Sequence, residues 1–355
     1  MHEYEAKSKI CRLLKSHDFS LKDVPGLPTA FIATRGTGKP SIALLAEYDA
    51  LEGLGHACGH HLISGMSTLA ALGIASVLEP SEGTITVVGC PAEETVGAKA
   101  LLAKKGVFKS MDAAMMIHPA DKTEIVKLSL SLERFTVVMR GISSHASANP
   151  WNGKNALSGM LSLFQAIDIN RITMPDGNKI NGIIKQGGSA ANIIPASAEA
   201  EFFIRAKDLE SHAVLVKRFS NMVKGAALAF NLDYSIKRSG NVYYPLKPNI
   251  RLARLFEKQL KKLRVKIDRF FTDKELGSSD IGNVSHVIPV IHPTLAITRS
   301  DCPAHSEAFR IQGNKPEAYT VMKMGAMLLA LTALELYRNK TLLLNIKKEY
   351  YIKYD

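Results

Sequence analysis

Residues 41–49, SIALLAEYD, form a short apolar run that ends at acidic residues and leads into a glycine-containing loop. This pattern predicts a buried β-strand. Two further strands are predicted within GTITVVGCPAEE (residues 83–94) and DAAMMIHPA (residues 112–120), the latter ending in His118, and a helix is predicted in each interval. The alternation of strands and helices is typical of a parallel α/β sheet, whose functional site lies beyond the carboxyl ends of the strands.

Polar side chains are predicted at or just after each of these strand ends: Asp49, Glu93, Glu94 and His118. Adjacent carboxylates can divide their roles, because one binds a cation while the other acts as a base. Each of these residues taken alone is also compatible with a solvated turn or a structural histidine. Their common position at one edge of the sheet therefore carries more weight than any single residue.

The loop GHACGHH (residues 55–61) places Cys58 and His60 two positions apart among glycines, which allow both side chains to turn toward one point. His305 lies in a further loop, CPAHSEAF. With Glu94 and His118, four separated loops thus offer a metal ligand. Thiolate and imidazole suit Zn²⁺, and the added carboxylate suits Mn²⁺ as well.

The middle third of the chain has a different pattern. Residues 128–240 are predicted to form strand, helix, two strands, helix and strand, which is the ferredoxin-like arrangement. We therefore expect an inserted α+β domain at residues 128–240. The expected catalytic domain comprises residues 1–127 and 241–340, and residues 341–355 are expected to form a tail without an assigned role.

Composition limits the class of protein. The chain has 355 residues, too many for one average domain, and 46% of them are hydrophobic. The net charge of +12 is compatible with an anionic substrate or with nucleic acid, but the densest basic run, residues 258–269, is interleaved with aliphatic residues as in an amphipathic helix that leads into a strand. The N-terminus lacks the pattern of a secretory signal, no run approaches the roughly 20 apolar residues of a membrane span, and four scattered cysteines do not suggest a disulfide framework. We expect a cytoplasmic protein that binds neither membranes nor nucleic acid.

Several ordered motifs resemble the M20 family of metallopeptidases and amidohydrolases. They are AEYDALEGLGHACGHHL (residues 46–62), PAEE (residues 91–94), RGISSHASANPWNGKNA (residues 140–156), GGSAANIIPASAEAEFFIRA (residues 187–206) and GSSDIGNVSHVIP (residues 277–289). The resemblance covers about residues 1–340. It is strongest to the hippurate-hydrolase-like branch, in the subgroup that holds one of the p-aminobenzoyl-glutamate hydrolase polypeptides and a vertebrate cytoplasmic dipeptidase.

The resemblance implies a di-metal catalytic domain with an inserted lid that also joins two subunits in a homodimer. It implies two divalent ions per subunit, Mn²⁺ or Zn²⁺, on five ligands: Cys58, His60, Glu94, His118 and His305. Glu93 would be the general base. Asp49 would orient a metal ligand from behind it.

In the inserted domain, the resemblance implies that His145 polarises the scissile carbonyl, reaching across to the other subunit, and that Asn192 hydrogen-bonds substrate. Arg205 lies at a predicted strand end, where it would pair with a substrate carboxylate or form a structural salt bridge. Because His145 belongs to a separate domain, we expect domain closure during turnover.

Three residues depart from the family pattern. His61 stands where the family usually has Asp or Asn, Glu52 where it has Pro, and Cys90 where Thr is common. His61 would be either an extra ligand or a neighbour of the site that binds no metal.

The expected activity is hydrolysis of an amide bond in N-acyl or aminobenzoyl amino acids or in small dipeptides, including basic ones. A catalytically inactive scaffold or regulatory protein is the alternative within the same fold. A nucleic-acid-binding protein is the alternative that the net charge suggests.

Overall fold

The computed structural model describes residues 1–274, 276–298 and 301–352. The chain divides into two compact units. The first comprises residues 1–128, 246–276 and those from 280 onward, and the second comprises residues 129–245 and 277–279.

The first unit begins with ten elements: α1 (Tyr4–Lys15), β1 (Ser20–Val24), β2 (Leu27–Arg35), β3 (Ser41–Glu47), α2 (His60–Ala75), β4 (Thr84–Cys90), α3 (Ala98–Lys104), β5 (Ala113–Met115), β6 (His118–Ala120) and β7 (Glu124–Lys127). The second unit follows with β8 (Leu132–Arg140), α4 (Ala156–Asn170), β9 (Lys179–Gln186), β10 (Ser197–Arg205), α5 (Leu209–Ala229) and β11 (Asp233–Tyr243). The chain then completes the first unit with α6 (Ile250–Lys262), β12 (Arg269–Thr272), α7 (Ile281–Ser285), β13 (Val290–Ile291), β14 (Thr294–Ala296), α8 (Glu307–Gly313), α9 (Pro316–Arg338) and α10 (Lys340–Ile352).

The main sheet has the strand order β1-β2-β4-β3-β5-β13. Strand β3 pairs in parallel with both β4 and β5, and β13 extends the parallel part, whereas β2 pairs antiparallel with both β1 and β4. Every residue of β3 is buried, as expected for a central strand covered on both faces. The predicted fold class, a mostly parallel α/β domain with an inserted α+β domain, is confirmed. The antiparallel β1–β2 hairpin was not predicted.

His118 does not end the third strand, as the sequence suggested. Strand β5 stops at Met115, and His118 begins the separate strand β6, which pairs in parallel with β14. Residues 116 and 117 are apolar and buried, so the hydrophobic pattern continues across a break in the hydrogen-bonded ladder. Hydrophobicity alone cannot reveal such a break.

The second unit is a four-stranded antiparallel sheet in the order β11-β8-β10-β9. Helices α4 and α5 contribute their apolar faces to one core with this sheet, including Met160, Leu163, Phe219 and Val223. The opposite edge strands are β9 and β11. Strand β9 is exposed at nearly every position.

Helix α9 is long and apolar enough to cross a membrane by length and composition alone. It packs along α2, where Gly325 lies against the Met66 side chain and Met322 lies against Gly65. The core helix of a globular unit meets the same two criteria.

The predicted tail forms helix α10, and its last three residues, 353–355, lie outside the described residues. The Glu349 carboxylate accepts hydrogen bonds from the backbone N–H groups of Ile250 (2.9 Å) and Arg251 (3.0 Å), at the start of α6. Asn249 Nδ2 donates to the Ile346 carbonyl (2.9 Å). Helix α10 is therefore attached to α6 through groups that satisfy the N-terminus of that helix. The strand predicted after α6 from Lys266 begins only at Arg269.

Candidate metal centre

The GHACGHH loop turns sharply at Gly59, immediately before α2. Gly59 has a φ of +78°, and a Cβ atom there would lie 2.5 Å from Pro119 Cγ. Glycine is thus required both by the backbone conformation and by the close approach of the next loop. This approach brings His118, the neighbour of Pro119, to the Cys58 side chain, with His118 Nε2 3.5 Å from Cys58 Sγ.

Cys58 belongs to two groups of side chains that could each hold one metal ion. Its partners are His60 and His118 in the first group, and Glu94 and His305 in the second. Within each group the ligand atoms lie within 4.8 Å of one another. One thiolate sulfur therefore stands between two sets of ligands.

His60 is oriented by a carboxylate behind it. Its Nδ1 lies 2.9 Å from Asp49 Oδ1, and Asp49 Oδ2 accepts a hydrogen bond from the Glu94 backbone N–H (3.1 Å). With Nδ1 protonated, Nε2 keeps its lone pair, and this buried Nε2 has no hydrogen-bond partner among the described residues. An orphaned ring nitrogen beside a cysteine fits a metal ligand.

His118 and His305 are also held in defined orientations. His118 Nδ1 lies 2.7 Å from the Pro119 carbonyl, which leaves Nε2 facing Cys58. His305 Nε2 lies 3.0 Å from Glu94 Oε1, and its backbone N–H donates to the Ala57 carbonyl (2.9 Å) in the GHACGHH loop. His305 also has a φ of +66°, an unfavourable conformation for a non-glycine residue that is typical of functional sites.

The charges within the cluster favour a metal-binding thiolate. Burial alone would raise the pKa of the Cys58 thiol, but His118, His305 and His60 outweigh it and hold that pKa well below its ordinary value. Hydrogen bonds to Cys58 and Glu94 raise the pKa of His305 to about 10. A cation at this point would replace the protons that now balance the thiolate and the carboxylate.

Glu93 lies beside Glu94 and is grouped with His60 and Glu94 within the same 4.8 Å limit. Burial, together with the negative charge of Glu47, raises the pKa of Glu93 well above its usual value. The preceding residue, Ala92, has a φ of +53°, so the turn that leads into the two carboxylates is itself strained.

The second unit brings His145 and Asn192 onto neighbouring segments. His145 pairs with Ile193 in an isolated β-bridge, and the Ala146 backbone N–H donates to the Asn192 carbonyl (3.0 Å). His145 Nδ1 accepts from the backbone N–H groups of Ser147 (3.3 Å) and Ala148 (3.2 Å). The imidazole therefore carries its proton on Nε2, where it can act as a donor.

Arg205 ends β10 and is half-buried. Its Nε donates to Ser278 Oγ (3.3 Å), and its guanidinium lies over the Phe203 ring, 5.4 Å from the centroid. No carboxylate lies within ion-pair distance of Arg205 in the described part of the chain. Burial, with the nearby charge of Arg134, lowers the pKa of Arg205.

His61 points away from the ligand groups. Its Nε2 lies 3.0 Å from the Gly313 carbonyl, at the end of α8, and its ring packs 4.7 Å from that of His56. It is absent from every group of potential metal ligands found among the described residues. Burial lowers the pKa of His61 to about 4, so it is neutral near pH 7.

Three buried charged residues next to the cluster were not predicted from the sequence. Lys99 Nζ forms short ion pairs with Glu47 and Asp280, and the Lys99 backbone N–H donates to Asp280 Oδ2 (2.8 Å). A charged residue at the end of an otherwise apolar strand, as at Glu47, is the signal that could have indicated this group. Burial alone would lower the pKa of Lys99, but Asp280 and Glu47 hold it well above its usual value, so the side chain is charged.

A cysteine, three histidines and a carboxylate at the carboxyl end of a mostly parallel sheet define a metal-dependent hydrolase. Comparison with known proteins agrees. Residues 131–230 match the model of the peptidase dimerisation domain of the M20 family. The chain is 35% identical over 341 residues to the Xaa-Arg dipeptidase of Mus musculus, a match that covers 92% of this chain and 79% of that protein. It is 31% identical over 248 residues to one of the p-aminobenzoyl-glutamate hydrolase polypeptides of Escherichia coli, covering 64% and 52% respectively.

Solved structures show the same fold. A Bacillus subtilis protein described as a dinuclear metal-binding peptidase of the M20 family superposes with a TM-score of 0.71 at 20% identity, covering 95% of this chain and 93% of that one. An aminobenzoyl-glutamate utilization protein from Klebsiella pneumoniae gives a TM-score of 0.68 at 20% identity, covering 94% and 91%. The chain belongs to the M20 peptidase family, and it is a metal-dependent amidohydrolase that acts on amide or peptide bonds.

Proposed function

We propose that the chain hydrolyses small N-acyl or aminobenzoyl amino acids or dipeptides with two divalent ions, Mn²⁺ or Zn²⁺, held on Cys58, His60, Glu94, His118 and His305. The observation that carries this proposal is the position of Cys58, which is common to two groups of potential ligands. A bridging thiolate with imidazole and carboxylate ligands suits a pair of such ions. The bound ions would supply Lewis acidity, which lowers the pKa of a water from about 15.7 toward about 7.

Glu93 is the proposed general base. It takes the proton from the attacking water and returns it to the leaving nitrogen, while the neighbouring Glu94 serves as a ligand. The close but distinct placement of the two carboxylates supports this division of roles. His60 keeps its ligand orientation through the Asp49 carboxylate.

His145 is proposed to donate its Nε2 proton to the oxygen of the scissile carbonyl. Support comes from the two backbone N–H groups that occupy Nδ1 and fix this tautomer. Asn192 is proposed to hydrogen-bond substrate, and Arg205 to bind its carboxylate, which is consistent with the lack of a carboxylate partner among the described residues. We further propose a cytoplasmic homodimer, joined through the second unit, in which His145 of the partner subunit completes the site.

Substitution of Glu93 by Gln tests the proposed base. We expect kcat to fall by about a thousandfold or more, because the amide cannot accept the proton, while the content of divalent metal stays at the parent value. Hydrolysis is measured on a panel of N-acyl amino acids, aminobenzoyl-glutamate and dipeptides with C-terminal Arg, using protein stripped of metal and reloaded with Mn²⁺ or Zn²⁺.

Glu317→Gln, which changes an exposed carboxylate on α9, is the matched control and should keep the parent rate. Full activity of the Glu93→Gln protein would remove Glu93 from the mechanism. A parent protein that binds metal but cleaves nothing on the panel would favour the inactive scaffold instead. The substrate cleaved best separates a dipeptidase from an N-acyl amino acid hydrolase.

A further inference from the structure

Lys99 is fully buried in the first turn of α3, and it is not among the proposed metal ligands. Asp280 holds it at two points, because its Oδ1 contacts the ammonium and its Oδ2 accepts from the Lys99 backbone N–H (2.8 Å). The ammonium also contacts Glu47 Oε1. The side chain thus has one fixed position between two carboxylates.

These carboxylates belong to a group that could itself hold a cation. Glu47, Glu93 and Asp280 each offer an oxygen atom within 4.8 Å of the others. Buried carboxylates are costly unless a positive charge lies among them. The Lys99 ammonium provides this charge from within the chain.

Glu47 connects Lys99 to the metal centre. While its Oε1 contacts Lys99, its Oε2 lies 3.4 Å from His60 Nε2 and has no hydrogen-bond partner among the described residues. Without the ammonium, Oε1 would become available to a divalent ion near His60. Lys99 therefore acts on the centre through Glu47, without touching a ligand atom itself.

We propose that Lys99 is a positioning residue, a built-in cation that keeps divalent ions off Glu47, Glu93 and Asp280 and holds Glu47 in place beside His60. This inference rests on the proposed metal-dependent function. Its test includes metal binding, which is measured without any turnover.

The experiment uses the full chain, stripped with a chelator and dialysed to equilibrium against Mn²⁺, with bound metal measured by elemental analysis. We expect Lys99→Met to bind one Mn²⁺ per chain more than the parent, because the three carboxylates become a cation site. Lys99→Arg, which keeps the charge, should match the parent. Lys104→Met changes an exposed lysine of the same helix and is the matched control.

Kinetics provide the second measurement. For Lys99→Met we expect kcat to fall about tenfold or more while KM changes less than about threefold, since the displaced group lies beside the metal centre and not in a substrate-binding segment. Lys99→Arg should recover at least about a third of the parent kcat. A merely structural role would lower thermal stability without raising the Mn²⁺ content.

The double variant Lys99→Met/Glu47→Gln removes one charge of each sign, so it should fold even where Lys99→Met does not. It should bind no additional Mn²⁺, yet its kcat should remain about tenfold or more below the parent value. Parent-like Mn²⁺ content and a kcat within about twofold of the parent, in either folded Lys99 variant lacking the charge, would overturn the inference. If the parent itself cleaves no substrate, the proposed function fails, while the dialysis still decides the role of Lys99.

Discussion

At the scale of the residue, Asp49 shows how one carboxylate prepares two ligands. It fixes the His60 ring through Nδ1 and also accepts a hydrogen bond from the Glu94 backbone N–H. Its side chain is nearly fully buried, so neither bond is weakened by exchange with solvent. Asp49 therefore couples the first group of ligands to the second.

Substitution of Asp49 by Ala should weaken metal binding about 10- to 100-fold, the range found when such supporting partners are removed. Mn²⁺ titration of the stripped protein measures this loss directly. Asp49→Asn keeps one acceptor for His60 but places an amide N–H against the Glu94 N–H, so its affinity should lie between those of the parent and Asp49→Ala. Equal affinity in all three proteins would mean that the His60 orientation does not depend on Asp49.

The sequence predicted this part of the site because Asp49, Cys58 and His60 lie within 12 residues of one another, around a single glycine-containing loop. Lys99 was not predictable in the same way. Its hydrogen-bonded partner Asp280 lies 181 positions away, and only the folded sheet brings the two together. A buried lysine also looks like any other helical lysine until its partners are known.

At the scale of the element, α10 shows what the sequence pattern could not assign. Its apolar and basic residues have no obvious target in the sequence, because the target is the start of α6, about 100 positions earlier. A second contact reaches the main sheet, where Lys347 Nζ lies 2.7 Å from Asp112 Oδ1. Asp112 Oδ2 also accepts from the Ser41 backbone N–H at the start of β3 (2.8 Å).

This contact should make stability depend on pH. Burial raises the pKa of Asp112, but Lys347 and the Ser41 N–H outweigh it and hold that pKa below its usual value. A carboxyl group whose pKa is depressed on folding stabilises the protein above its unfolded pKa of about 3.9, and this stabilisation is lost as the pH falls through the folded value. Asp112→Asn should therefore be less stable than the parent at pH 6, by about 1 kcal/mol because solvent screens the part-exposed Lys347.

Thermal unfolding at a series of pH values measures the difference. The gap between the parent and Asp112→Asn should narrow below about pH 4 and disappear once the parent carboxyl is protonated. Asp112→Ala should be destabilised further at every pH, because the Ser41 N–H loses its acceptor altogether. A gap that stays constant down to pH 3 would contradict the assignment.

At the scale of the whole molecule, the second unit presents two edge strands of different character. The strand order and the apolar face of this unit follow from the alternation in the sequence, and the ferredoxin-like prediction is confirmed. The alternation does not reveal which edge is left for another subunit, because exposed residues look alike in the sequence. In the structure β9 has two consecutive exposed isoleucines, Ile183 and Ile184, which is unusual for an edge that faces only water.

We expect β9 to form the dimer contact, with the same strand of each copy meeting at a twofold axis. Ile183→Asp would then place two like charges near each other and weaken dimerisation by several kcal/mol, about 100-fold or more in Kd. Sedimentation velocity at a series of concentrations measures the change. Tyr234→Asp, at an exposed position on the opposite edge strand β11, is the matched control and should leave the dimer intact.

The same two variants test whether one copy completes the site of the other. Neither substitution alters a proposed metal ligand, Glu93 or His145, so each separated chain keeps every one of those residues. If His145 of the partner subunit supplies the proton to the scissile carbonyl, the Ile183→Asp monomer should bind Mn²⁺ normally but lose about 100-fold or more in kcat, as expected when one such donor is removed. Activity should return at protein concentrations high enough to restore the dimer. A fully active monomer would instead require that His145 serve the metal centre of its own chain.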